Sequence, residues 1–174
     1  MEGKAMRKIK KFIFITLLMI IFVPFILSYS NYRMTRVNND YEALFTEQLK
    51  AAVHKGTTFD MKEVAPFDWD KMFVFEAYRS REEMERTVGR EWTNEASYAG
   101  YWIDRKISGQ YPLLDESVHK LVFVKKDKVV FDTTLDRAIA DFSVSSSMID
   151  RENSRYTVTK TDQSFATVYN VLEE

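Results

Sequence analysis

Hydrophobic and polar positions divide this chain into a uniformly apolar beginning and a patterned remainder. From Phe12 to Leu27, thirteen of sixteen residues are Leu, Ile, Phe or Val, and the others are Thr16, Met19 and Pro24. At about 0.3 to 0.6 kcal/mol each, those thirteen favour a bilayer by roughly 4 to 8 kcal/mol, and Pro24 and Thr16 offset only part of that. Phe12 to Tyr29 as a helix is about 27 Å long, close to the roughly 30 Å of a hydrocarbon core. The pattern predicts a transmembrane segment over residues 12–29. Lys4, Arg7, Lys8, Lys10 and Lys11 precede it. They predict a cytoplasmic flank (1–11) and an extracytoplasmic C-terminal domain on a single-pass chain in the cell membrane. The segment has two possible fates. Ser28 and Ser30 are small residues suited to signal-peptidase cleavage. The length of the apolar run, and Tyr29 and Tyr32 at the place of an interfacial aromatic belt, favour a retained anchor.

Beyond the apolar run the pattern turns amphipathic. Val37, Tyr41, Leu44, Phe45, Gln48 and Ala52 recur at steps of three and four, predicting a juxtamembrane helix within 30–56 that packs one face on a sheet. Asn38, Asn39 and Asp40 mark a possible break, and Gly56 a stop. In Phe67 to Tyr78, Phe73 and Phe75 alternate with Met72 and Val74, as in a central strand apolar on both faces. Ser80 and Glu83 are spaced as a capping box for a short helix that Gly89 ends. Arg90 to Ser117 is the least regular stretch, with helix expected around Asn94 to Tyr101 and extended chain over Trp102 to Lys106. Lys120 to Lys125 and Lys128 to Thr133 form a hairpin around Lys126 and Asp127, and Arg155 to Lys160 and Phe165 to Val171 a second around Thr161 to Ser164. Leu135 to Ser147 reads as irregular edge structure. The order predicts an α+β domain over 57–174, an antiparallel sheet with helices packed on one face.

Composition and charge narrow the function classes. The 174-residue chain has 13 Phe, 9 Tyr and 3 Trp but only 5 Gly and 3 Pro, which suits one packed core and argues against a long disordered tail. Net charge is -1; with Glu2 against the five basic residues, the first thirty residues carry +4 and the rest -5. An acidic domain lacks the footprint of a phosphate-backbone binder, so no nucleic acid is expected. The chain has no cysteine, which excludes disulfides, thiol catalysis, Cys-ligated zinc and a lipid-modified N-terminal cysteine.

Candidate chemistry is sparse. His54 and His119 stand outside metal-ligand and catalytic spacings, so structural or surface roles are expected of them, and no phosphate loop or Ser-His pairing appears. No cofactor or metal is expected. Asp68 and Asp70 flank Trp69, and a period of two places both carboxylates on one strand face, where they could raise a pKa or hold a cation. The blander alternative has them cap a turn and meet Lys71 or Arg79, with Trp69 in the core. Trp92, Tyr101 and Trp102 offer flat rings with polar edges, suited to a glycan or peptide platform, although in a small domain such residues more often form the core.

Phe67-Asp68-Trp69-Asp70-Lys71, then Phe75, Tyr78, Ser80-Arg81-Glu82-Glu83 and Gly89, with Leu121-Val122-Phe123-Val124-Lys125 later, resembles a pattern in small exported proteins of Gram-positive bacilli. In these a leader or lipid anchor precedes F-x-W-D-x-x-x-x-F-x-P-Y, a short helix and an L-V-F-V-K hairpin. The likeness spans residues 60–125 and departs at Ala77, where the pattern has proline, and in the missing lipidation cysteine. It implies fold and export, not an activity. The function expected is non-enzymatic binding of a protein or cell-envelope component by a membrane-anchored domain, at Trp92, Tyr101 and Trp102. An envelope-polymer enzyme using Asp68 and Asp70, or an inhibitor or immunity protein, is the alternative.

Overall fold

The computed structural model describes residues 2–55, 57–108, 115–143, 148–162 and 167–173. They form two compact units, residues 1–36 and 37–174.

The first unit is one helix, α1 (Glu2–Thr35), with Pro24 inside it. The most apolar stretch within its Ile9–Thr35 portion has a mean hydropathy of 2.6 and none of that stretch is buried, so the helix is long and apolar enough to cross a membrane. Thr16 turns its hydroxyl back onto the Phe12 carbonyl at 2.9 Å, which removes a polar group from the helix surface. The helix continues past Tyr29 because nothing from Ser30 to Thr35 breaks it.

In the second unit the chain runs α2 (Glu42–Lys55), β1 (Thr58–Asp60), α3 (Met61–Val64), β2 (Lys71–Phe75), α4 (Arg81–Val88) and α5 (Tyr98–Ile103). A π-helical turn (Asp104–Ser108) extends α5. Then come β3 (Val118–Lys125), β4 (Lys128–Asp136), β5 (Asp141–Ser143), β6 (Met148–Asp150), β7 (Arg155–Asp162) and β8 (Thr167–Glu173). The strands make two four-stranded sheets, ordered β1-β7-β8-β5 and β4-β3-β2-β6. All pairings are antiparallel except β5 with β8. The α+β class with antiparallel sheets preceded by an apolar helix is what the pattern predicts. The expected helix over 30–56 divides: residues 30–35 close α1, the chain breaks across the three polar residues at 38–40, and α2 belongs to the folded unit.

The larger core joins both sheets to α2. Phe45, Leu49 and Val53 of α2 meet Met72, Val74, Leu121, Phe123, Phe131 and Leu135 of one sheet, and Phe59, Phe142, Tyr156 and Val171 of the other. Aromatic rings dominate: Phe45 lies 5.5 Å from Phe123 and 5.3 Å from Phe131, and Trp69, fully buried, 5.3 Å from Phe123. The opposite face of β2 and β3 has a smaller core, where Phe73, Phe75, Val122 and Val124 meet Val37, Met84 and Trp92. β2 is thus apolar on both faces, as its alternation predicts, and spans Lys71–Phe75 rather than 67–78. Because both faces bury side chains, the helices divide between them, α2 on one and α4 on the other.

Two predicted local devices are present. Ser80 accepts from the Glu83 N–H (3.2 Å), Glu83 accepts from the Ser80 N–H (3.0 Å), and Gly89 closes α4 at φ 77°. The β3–β4 hairpin turns at Lys126-Asp127, with Lys126 at φ 53°. The predicted turn of the second hairpin falls partly outside the described residues, at 163–166. Three short elements were not foreseen: β1, α3 and β6. Within 135–147, β4 runs on to Asp136 and β5 pairs with β8, while 144–147 lie outside the described residues. Trp102 to Lys106, expected extended, is helical, because Ser97 caps α5 by accepting from the Gly100 N–H at 3.0 Å and the π turn prolongs it.

Candidate functional site

Cross-strand register places charge inside the smaller core's face. Lys120 pairs with Thr134 and Val122 with Asp132, so Lys120, Val122, Asp132 and Thr134 share one side of the sheet. That register depends on a bulge: Val124 faces Val129 but Phe123 faces Phe131, leaving Val130 as an extra residue.

Asp132 is the centre of the arrangement, 1% exposed. Its Oδ2 accepts from Lys120 Nζ at 2.5 Å and Trp92 Nε1 at 3.2 Å, and its Oδ1 from Asn39 Nδ2 at 3.1 Å. Asn39 Oδ1 in turn accepts from the Asp132 N–H at 3.3 Å, and Glu42 accepts from the Thr133 hydroxyl at 2.9 Å. The approach to α2 therefore covers the outer edge of β4, whose backbone would otherwise be open to pairing.

Beside this knot is a cavity of about 200 Å³, whose wall includes Arg81, Glu85, Trp92, Asn94, Asp104, Lys120, Asp132 and Thr134. Arg81 pairs with Asp104 at 2.6 Å. Arg105 grips Glu85 with both terminal nitrogens, at 3.2 and 2.6 Å, and its guanidinium lies 5.7 Å from the centre of the Tyr101 ring. Burial pushes the Glu85 carboxyl above its ordinary value, and Arg105 reverses only part of that shift. The charges on the wall, with Arg105 behind Glu85, number three positive and three negative. Among the described residues the lysine ammonium, with three protons, has one carboxylate acceptor, and Asn94 and Thr134 also line the cavity. Such a wall both donates and accepts hydrogen bonds without net charge. It suits a small, polar, overall neutral group. Two wider hollows, of about 360 and 600 Å³, have walls whose Glu83 and Glu42 are committed to the α4 cap and to Thr133.

Of the expected site residues, Trp92 and Tyr101 meet at Arg105, which donates to the Trp92 carbonyl at 3.4 Å and lies over the Tyr101 ring, and the others do not join them. Trp92 is 6% exposed and lines the cavity; Tyr101 is buried under Arg105; Trp102 faces away, 48% exposed. Asp68 binds Lys125 and, at 2.9 Å, Arg151. The Lys125 hydrogen bond, assisted by the charge of Arg151, holds the Asp68 carboxyl below its ordinary value, the opposite of what acid catalysis requires. Asp70 accepts from the Lys126 N–H at 2.6 Å, its own N–H donates to the Val124 carbonyl and its carbonyl accepts from Arg151. The two carboxylates thus fasten the start of β2 to the hairpin tip and to Arg151, with partners other than Lys71 and Arg79. His119 is buried and its Nε2 lies 2.9 Å from Asp141, which Arg137 also holds. Among the described residues no cluster of His, Asp and Glu could hold a metal ion.

Sequence reasoning did not bring together Lys120, Asp132, Arg81, Glu85, Asp104 and Arg105. The available signal was Lys120 itself, a charge at an inward position of an otherwise apolar strand. No protein-family model, curated protein or solved structure matches this chain, so the chemistry of the cavity is argued from its own residues.

Proposed function

We propose that the chain is a membrane-anchored, extracytoplasmic domain that binds an envelope component or a protein partner without transforming it, and that the Lys120–Asp132 cavity is where it binds. The observation that carries the reading is the helix over Ile9–Thr35, whose most apolar stretch is wholly unburied, in front of a second compact unit. That stretch, unlike Tyr32 after it, is buried against no protein core, and a bilayer satisfies it. The basic flank, Lys4 to Lys11, supports a cytoplasmic N-terminus, and the resemblance to exported proteins of bacilli supports the same direction. Binding is favoured over catalysis because the cavity's carboxylates each face a cation and its wall holds no nucleophile beside a base.

The absence of cysteine makes topology directly measurable. A single cysteine at the exposed Glu152 (Glu152→Cys) should react with a membrane-impermeant maleimide in intact cells. Labelling only after permeabilisation overturns the orientation. The mass of the mature chain then separates anchor from secreted domain, since cleavage near Ser30 removes the apolar helix. A photo-crosslinker at the exposed Thr134, on the cavity wall, should capture an envelope component in membranes, and an unchanged pattern in Lys120→Met/Asp132→Leu removes the cavity from the reading.

A further inference from the structure

α5 and the π turn after it have an inner and an outer side. Tyr101 and Arg105 face inward, the ring buried and the guanidinium held by Glu85. Asp104 is likewise committed, to Arg81. Trp102, Ile103 and Ile107 face outward, 48%, 49% and 72% exposed, with Lys106 exposed between them. The wider π turn brings residues five apart to one side, which aligns Trp102 with Ile107.

We propose that this outer side is a second membrane contact, seated in the headgroup region of the bilayer that α1 crosses; the proposal requires α1 to be an anchor. Three observations favour lipid over a soluble partner. Tryptophan beside aliphatic side chains is the composition preferred at a membrane–water boundary. Lys106 can lay its stem along the apolar side chains and extend its ammonium to anionic headgroups, while the acidic residue of the turn is occupied with Arg81. The chain enters the folded unit at Val37, two residues after α1 ends, and the Val37 N–H donates to the Thr93 carbonyl at 2.8 Å, five residues before α5. A tether this short keeps lipid at a high effective concentration for that part of the domain, an advantage no diffusing partner shares.

Trp102 is its own reporter, because the other two tryptophans, Trp69 and Trp92, are 0% and 6% exposed. The full chain is reconstituted into vesicles of phosphatidylcholine and phosphatidylglycerol with and without bromine on the upper acyl chain. Flotation is read first: a chain that does not float overturns the anchor and this contact with it. For a chain that floats, brominated lipid should quench the Trp102 share of the emission, and the quenchable share should vanish in Trp102→Phe. Ile103→Ser/Ile107→Ser, both at exposed positions, should weaken the quenching while Trp102 remains. Equal quenching of the wild-type chain and Trp102→Phe overturns the contact and leaves the anchor standing.

Discussion

Removing one partner of the Lys120–Asp132 pair should be far more damaging than removing both. Lys120→Met leaves a carboxylate that is 1% exposed with two hydrogen bonds, from Trp92 and Asn39, and no cation. An uncompensated buried charge of this kind costs about 3 to 5 kcal/mol. Asp132→Leu strands the buried ammonium and indole N–H together, and each buried orphan adds about 1 to 3 kcal/mol. The double variant carries neither charge. Replacing a buried pair by apolar residues is neutral to stabilising by about 1 to 4 kcal/mol, against which stands about 1 to 3 kcal/mol for the indole N–H left without an acceptor. The double should therefore be more stable than either single. Against a total of about 5 to 15 kcal/mol for a typical domain, either single is close to unfolding. Urea denaturation of the full chain in detergent, followed by the emission of the buried tryptophans, reads the change as a shifted midpoint at constant slope. A double variant as damaged as the sum of the singles would refute the reasoning.

Two further outcomes test local physics. Gly89→Ala should cost about 1 to 2 kcal/mol in the same denaturation. A Cβ there meets nothing within 4 Å, so the whole cost is the left-handed backbone at φ 77°, and an unchanged midpoint would contradict that cap. Burial pushes the Asp141 carboxyl up, but hydrogen bonds from Arg137 and His119 outweigh it and leave the group below its ordinary value. The folded state then holds that proton more weakly than the unfolded one. Its contribution is complete above the unfolded value near about 3.9 and is lost as pH falls through the folded value. Acidification should move the wild-type urea midpoint more than that of Asp141→Asn, and parallel pH profiles would exclude the network as a source of acid sensitivity.

The elements most legible in the sequence were those whose signals are local. The apolar run, the Ser80–Glu83 box with Gly89, and the turn at Lys126-Asp127 each depend on residues within a few positions of one another. The alternation of β2 announced two buried faces, yet the consequence, a helix on each, required knowing where α2 and α4 fold back. Asp132 shows the limit most clearly. Counted from the turn without a bulge, it faces Leu121 and the large core, a place no unpaired carboxylate would occupy. The extra residue, Val130, moves it to the Lys120 side and places Phe131 opposite Phe123 instead. Nothing in Val129-Val130-Phe131 marks a bulge, because valine is at home in either register. Asp68 and Asp70 failed as a pair for a related reason: their partners, Lys125, Lys126 and Arg151, are more than fifty residues away.

The two cores explain how a small domain without disulfides can keep a charged cavity. The face toward α2 packs Phe45, Trp69, Phe123 and Phe131 with little or no exposure, and residues of both sheets join them. Burying such side chains contributes about 1.5 to 3 kcal/mol each, so cohesion is concentrated there. The opposite face needs only to hold α4 and Trp92 in place. Its apolar half does so with Phe73, Phe75, Val122 and Val124, and its other half is free to carry Lys120, Asp132 and Thr134. A domain selected for stability alone would fill that half with aliphatic side chains, since the buried pair yields little net stability. A charge set of this kind, neutral overall and around open space, is what the proposed recognition would use. It also separates the two properties experimentally: Asn94→Ala, which removes a wall amide and no ion pair, should alter capture at the cavity and leave the urea midpoint where it is.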